Sequence, residues 1–426
     1  MKTRIYWFRN DLRLTDNPAF IAACDGAAQL LPVHVISSDE TAQTTSGFER
    51  WGPLRRRFRD QAVAGLRQAL IDRGSNLVVV EGDPVQALSD LAQAVSADGV
   101  VCETIAAPEE QAQVEALRRL GVTVEDHWQS SLIAIPDLPF AIPDLPEVFT
   151  PFRRAVETAG LPAARPVAAP PTLPPLPSPF SISADRQSIT QAPDLRSSFP
   201  FDTAAFDGAE STALNHLRDY FSGRLAQTYK VTRNGLSGVD YSTKFSPWLA
   251  TGALSSRTVF DLLRKHEDRH GASEGSAWIA VELLWRDYFR FSALKHGTRL
   301  FRHKGLSRRP KPSHDPEAFR RWTLGETGQP FVDAGQRELA TTGYLSNRMR
   351  QVVASYLIHD LDCDWRAGAA WFEARLIDFD ICSNQGNWLY IAGRSADPRN
   401  GRRFAPEQQA CHYGPDGAYQ RLWDRP

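Results

Sequence analysis

Within residues 376–390 (LIDFDICSNQGNWLY) the chain sets two carboxylates (Asp378, Asp380), two amides (Asn384, Asn387) and an indole (Trp388) around a single glycine, Gly386. The surrounding stretch is rich in tryptophan and helical in pattern. Polar side chains beside large aromatics need partners, because each unpaired buried polar group costs roughly 1–3 kcal/mol. A polar, planar, hydrogen-bonding ligand would supply those partners. The segment therefore reads as the wall of a cofactor site.

Two further segments carry chemistry. In residues 241–252 (YSTKFSPWLATG), Ser246 is placed as an N-cap and Pro247 as the first helical residue. Ser242, Thr243 and Lys244 then put two hydroxyls and a cation beside free backbone N–H groups, which suits a phosphate or pyrophosphate. A plain capped helix explains the same residues. In residues 278–286 (WIAVELLWR), Glu282, Trp285 and Arg286 fall within one helical turn. Glu282 and Arg286 have the spacing of a surface ion pair, but Leu283, Leu284 and Trp285 argue against full exposure. A carboxyl group beside an aromatic platform suits the edge and face of a planar base.

Other patterns exclude function classes. His266-Glu-Asp-Arg-His270 matches HExxH literally, but its neighbours are charged, Gly271 ends the helix, and no third ligand follows at a recognised spacing. A solvated helix end with cations near the C-terminal dipole is the better reading, so no metal is expected. There is no GxGxxG after the first strand and no GxxxxGK[ST]. Residues 299–311 (RLFRHKGLSRRPK) carry six permanent cations, and Arg394, Arg399, Arg402 and Arg403 form a second cluster. Contacts from such loops to phosphates would be salt-sensitive.

The elements that must position these groups follow from periodicity. Short apolar runs at 4–8, 30–36, 77–81, 99–103 and 122–125 alternate with helical patterns near 53–72, 84–94 and 108–120. That alternation predicts a doubly wound parallel α/β sheet over residues 1–132. Residues 133–210 form a Pro-rich connector, with fourteen prolines between Ile135 and Pro193. It is expected to be extended, without regular helix, and to wrap across the first domain. Residues 211–426 read as all-helical and hold eight of the eleven tryptophans.

A chain of 426 residues is too long for one ordinary core. No apolar run is long enough to span a membrane, and the strand pattern starting at Arg4 leaves no room for a signal peptide. Five scattered cysteines form no CxxC, which suits a reducing cytoplasm. The net charge of −1 conceals an asymmetry: residues 1–210 hold 18 Lys and Arg against 27 Asp and Glu, and residues 211–426 hold 31 against 23. The basic half is the one suited to a polyanion.

Seven ordered motifs resemble the photolyase/cryptochrome family, and its cryptochrome DASH branch in particular. They are WFRNDLRLTDNP at 7–18, FTPFRR at 149–154, YKVTRNGL at 229–236, DYSTKFSPWLATG at 240–252, ELLWRDYFRF at 282–291, FVDAGQRELATTGYLSNRMRQ at 331–351 and DFDICSNQGNWLYIAG at 378–393. The resemblance implies an α/β antenna domain, a wrapping connector and a helical domain that binds FAD. Tyr229, Arg233, Ser242, Thr243, Lys244, Phe245 and Ser246 would hold the phosphate side, with Trp278, Glu282 and Arg286 nearby. Asn347, Arg350, Asp378, Asp380 and Asn384 would surround the isoalloxazine. There Arg350 offers a cation to a reduced ring, Asp380 accepts from a ring N–H, and Asn384 faces the redox-active nitrogen as an amide that is no proton source.

The resemblance also implies light-driven, reduced-FAD-dependent repair of cyclobutane pyrimidine dimers by a monomer. Glu282 would bond the base edge, Trp285 stack on it and Asn347 hold it, while Trp388, Trp365 and Trp322 would carry electrons between the flavin and the surface. Gln351 and Tyr390 stand where duplex-repairing members have Met and Trp. A less apolar pocket supplies less stacking to offset base flipping, so single-stranded DNA is the expected substrate. A photoreceptor with weak or no repair is the alternative, weakened by the short stretch after Trp423. The family often carries methenyltetrahydrofolate as antenna, and Glu109 or Glu110 lies near the matching segment, although two glutamates opening a helix are equally explained by its dipole.

Overall fold

The computed structural model describes residues 2–178, 192, 194–396 and 401–424, so part of the connector and Arg399 lie outside the described residues. Five strands, β1 (Thr3–Phe8), β2 (Gln29–Ser37), β3 (Val78–Gly82), β4 (Gly99–Glu103) and β5 (Val124–His127), form a wholly parallel sheet in the order β3-β2-β1-β4-β5. Trp7 lies opposite Val33 on β2 and Cys102 on β4. Ile5, Leu31, Val33 and Val100 are fully buried, as central parallel strands covered on both faces require. The crossover helices Pro18–Cys24, Pro53–Ile71, Pro84–Ala94 and Pro108–Arg119 all start on proline, whose missing N–H costs nothing in the first turn. Because β1 is followed outward by β2 and β3 and the chain then returns to β4, the sheet has a topological switch point at its carboxyl edge.

The connector is not free of helix: Phe149–Thr158 is helical. Its proline, Pro151, sits in the first turn, where the backbone N–H has no intrahelical acceptor to lose. Beyond it the chain crosses the α/β domain. Asp16 N donates to Val167 O at 2.8 Å and Leu30 N to Pro175 O at 3.0 Å, while Leu173 and Leu176 pack against the two cores flanking the sheet.

The remainder is a helical domain from Glu210–Ser222 to Ala418–Leu422. Its longest helix, Glu274–His296, opens with a reciprocal Ser273/Ser276 capping box and stops at Gly297. Residues 10–16 seam the domains together. Leu12 N donates to Thr251 O (3.2 Å), Arg13 Nη1 to Gly252 O (2.9 Å), and Leu14 N and Thr15 N each to a Glu210 carboxylate oxygen at 2.9 Å. Asp16 accepts from Ser255 and, at 2.9 Å, from Arg257 Nε. No helix among the described residues is long and apolar enough to cross a membrane.

Candidate functional site

A cavity of about 270 Å³ opens in the helical domain. Tyr229 and Arg233, residues 242–246, Glu282, Trp285 and Arg286 from the long helix, and Asn347, Arg350, Asp378 and Asp380 all line it. A contiguous space of about 100 Å³ adds Gln351, Asn384 and Trp388. Trp278 stands behind this wall and donates through Nε1 to Glu282 Oε1 at 2.9 Å. Chain segments more than a hundred residues apart thus converge on one space.

At the end formed by residues 241–246 the local structure differs from the sequence reading. The helix Ser246–Thr251 has Phe245 at its N-cap and no side-chain cap bond, and Ser246 is exposed in its first turn. Lys244 takes a left-handed φ of 58°, which turns its side chain inward instead of out to solvent. Its Nζ lies 3.3 Å from the centre of the Tyr241 ring. Burial pushes this ammonium well below its ordinary value, against the pull of Glu338 and Asp240. Glu338, itself buried and bonded by the Tyr419 hydroxyl, is pushed up to about 8 by the same desolvation.

The long helix presents Glu282, Arg286 and Arg290 at intervals of four, on one face. Glu282 and Arg286 do not pair. Arg233 Nη2 donates to Glu282 Oε1 at 2.5 Å, whereas Arg286 donates to the carbonyls of Ser130 and Leu249 (the latter at 3.2 Å) and ties the cavity to the end of the α/β domain. Burial raises the Glu282 carboxyl above its ordinary value, with Arg233 and Trp278 opposing. Arg290, absent from the sequence-based set, donates to Asp380 Oδ2 at 2.5 Å. The spacing 282, 286, 290 was the signal available for it.

Asp380 also accepts from Ser383 N at 2.8 Å and so caps the helix Ile381–Ile391. Burial pushes its carboxyl up, but Arg290, Arg286 and the Ser383 N–H outweigh that and hold it at about 2. Arg350 Nη2 donates to Asp378 Oδ2 at 2.8 Å. Asn384 donates through Nδ2 to Ala369 O at 3.1 Å, which leaves its amide oxygen as an acceptor.

The residues expected to meet a base divide between spaces. Trp285 is shared between the main cavity and a smaller apolar one of about 70 Å³ that includes Tyr390. Tyr390 Oη accepts from Arg402 Nε at 2.7 Å, and its ring stands 6.5 Å from Trp285 at 61°, so the two rings form no parallel slot. Gln351 lines the Asn384 side instead. Of the three indoles expected to form a relay, Trp388 borders the cavity and is 2% exposed, while Trp365 donates to His303 O at 3.3 Å. Trp322 does not reach the surface. It is 0% exposed, stacked by Phe319 and bonded to Val353 O at 3.0 Å.

Other expectations are corrected by burial. His266 is not solvated: it is buried and its Nδ1 meets Phe221 O at 2.8 Å, while Arg269 and His270 are exposed. No group of three His, Cys, Asp or Glu side chains able to hold a metal occurs among the described residues. In the second basic cluster Arg394 is buried and donates to Pro310 O at 2.9 Å, Arg402 serves Tyr390, and Arg403 pairs with Asp360 at 2.5 Å. Arg302, Lys304, Arg308 and Lys311 of the first cluster are exposed.

A separate cavity of about 560 Å³ lies between the domains at the switch point, lined by Arg9, His34, Trp51, Arg55, Glu109 and Glu110 among others. Arg50 pairs with Glu109 (2.6 Å) and with Glu373 (2.8 Å) across it. Burial raises the Glu110 carboxyl.

Around the main cavity, Arg233 Nε, Tyr241 Oη, Lys244 Nζ and Asp378 Oδ1 are buried polar atoms without hydrogen-bond partners. Three donors or cations and one acceptor fit a ligand with phosphate oxygens and ring N–H groups.

Residues 4–175 match the DNA photolyase family model and residues 278–424 match the FAD binding domain of DNA photolyase. The chain belongs to the DNA photolyase family and carries its FAD-binding domain. Within that family its branch is cryptochrome DASH. It is 44% identical to the cryptochrome DASH of Xenopus laevis over 97% of this chain and 81% of the relative. The crystal structure of a Synechocystis cryptochrome superposes with a TM-score of 0.93 at 39% identity, covering 99% of this chain and 88% of that one. A class III photolyase from Agrobacterium tumefaciens superposes at 0.81 with 30% identity, covering 99% and 86%.

Proposed function

We propose that this protein is a light-driven deoxyribodipyrimidine photolyase that repairs cyclobutane pyrimidine dimers, preferentially in single-stranded DNA, as a monomer in a reducing cytoplasm. The observation that carries the reading is Glu282. One of its oxygens is held by Arg233 and Trp278, the other is left for the cavity, and Trp285 stands one turn on. Arg233, Lys244, Arg350, Asp378, Asp380 and Asn384 would hold FAD, which when reduced and excited by blue light supplies the electron that opens the dimer.

The chain's own residues bind and orient. Glu282, whose carboxyl burial raises above its ordinary value, would bond the thymine edge through its free oxygen, and Asn347 would hold the base. Trp285 would stack on it. Tyr390, engaged with Arg402 and angled to Trp285, adds little stacking, which supports a substrate whose base is already unpaired. The interdomain cavity, bordered by Glu109 and Glu110, would take a methenyltetrahydrofolate antenna.

The test compares dimer-containing single and double strands with reduced protein, in blue light and in darkness. Light-dependent repair favouring single strands is expected. No light-dependent repair on either substrate would overturn the reading in favour of a photoreceptor.

A further inference from the structure

The ring of Phe149 lies parallel to that of Trp285, with centroids 3.6 Å apart and an interplanar angle of 11°. Trp285 borders the main cavity, whereas Phe149 lines only the small apolar space behind it. Trp285 is therefore a partition backed by Phe149. The backing is rigid, because the chain just before Phe149 is fastened to the same helix that carries Trp285. Lys295 Nζ reaches Glu147 Oε1 at 2.6 Å and Leu145 O at 2.7 Å, His296 Nε2 lies 3.3 Å from Glu147 Oε2, and the Tyr288 hydroxyl donates to Glu147 O at 2.6 Å. Phe152, fully buried, packs against both Phe149 and Tyr288.

We infer that Phe149 is a positioning residue: it fixes the plane of Trp285, and with it the stacking surface offered to the damaged base. The inference rests on the reading of Trp285 as the base platform. An indole held on one face by a second ring loses less freedom when a base stacks on the other, so preorganisation should appear in dimer affinity and not in general affinity for DNA. Phe149 also gives the connector a duty at the site, since it begins the helix Phe149–Thr158.

The experiment uses FAD-loaded protein and three variants, Phe149→Tyr, Phe149→Leu and Phe149→Ala. Flavin content and unfolding temperature identify any variant that fails to fold, and Phe149→Leu keeps apolar bulk while removing the ring face. The first readout is the Trp285 indole N–H resonance, assigned by its loss in Trp285→Phe. The second is affinity in darkness for a single strand with and without one thymine dimer. Phe149→Leu should shift or broaden the Trp285 resonance and weaken dimer binding about fivefold or more, with undamaged-strand affinity unchanged and Phe149→Tyr close to wild type. An unchanged resonance and unchanged dimer affinity in folded Phe149→Leu would overturn the inference. Absence of light-dependent repair by the wild type would instead overturn the proposed function, and the resonance would still report on the stack.

Discussion

Arg233 and Glu282 meet through a single oxygen: Arg233 Nη2 donates to Glu282 Oε1 at 2.5 Å, and Trp278 Nε1 donates to that same atom at 2.9 Å. The pair joins helix Leu225–Thr232 and the turn after it to helix Glu274–His296 and leaves Oε2 for the cavity. Glu282→Gln keeps the shape but removes the charge that Arg233 binds. Hydrogen bonds to charged groups contribute about 1.5–3 kcal/mol, so repair of single-stranded dimers should fall about 10- to 100-fold with flavin content retained. Repair at the wild-type rate under blue light would remove Glu282 from the substrate contacts.

The domain seam makes its own prediction. Gly252 has φ 73°, and a Cβ there would lie 1.9 Å from Asn10 O. Gly252→Ala must strain the backbone and part the seam at the end of helix Ser246–Thr251. It should cost at least about 2 kcal/mol and speed loss of flavin, as read by urea unfolding and by flavin retained through dialysis.

Gly368 lies under Trp388: a Cβ would come within 2.2 Å of the Trp388 ring and 2.6 Å of Leu357. Overpacking of this kind typically costs about 1–3 kcal/mol. Gly368→Ala should displace the indole and slow flavin photoreduction by an external donor under blue light. Photoreduction at the wild-type rate in a folded, flavin-loaded variant would detach Trp388 from the electron path.

Asp380 predicts an acid limb. Its folded value, about 2, lies below the ordinary 3.8, so the ionised form favours folding. That contribution is complete above pH 4 and is lost as pH falls through 2, amounting to about 2 kcal/mol. Glu338 has the opposite sign: raised to about 8, it favours the folded state least once pH has risen past that value. As pH is lowered from 5 to 2, the unfolding free energy should drop more steeply for wild type than for Asp380→Asn.

The exposed loop cations predict salt dependence. Each phosphate contact on a single strand contributes about 0.7 to the slope of log affinity against log salt. Replacing Arg302 and Lys304 by alanine should lower that slope by about 1.4 and weaken damaged and undamaged strands alike. An unchanged slope would place the strand elsewhere.

Local patterns carried much of the architecture. Apolar runs at 4–8 and 99–103 are buried on both faces and must be central parallel strands, and each crossover helix opens on a proline that the sequence displays. In the connector, proline count predicts an extended chain but does not reveal that Pro151 occupies the first turn of a helix. Likewise nothing in the residues next to Trp322 states that Val353, 31 positions on, encloses it together with Phe319.

The sequence by itself determined the sheet, the helical half, and the requirement that the polar groups of residues 378–388 find partners. Tertiary structure decided which partners they find. Glu282 takes Arg233, 49 positions away, instead of Arg286 on its own helix, and Asp380 takes Arg290 from a helix 90 positions earlier. The reason is physical: periodicity assigns a side chain to a face of its own element, but a buried charge pairs with whatever the packing of other elements brings within hydrogen-bond reach.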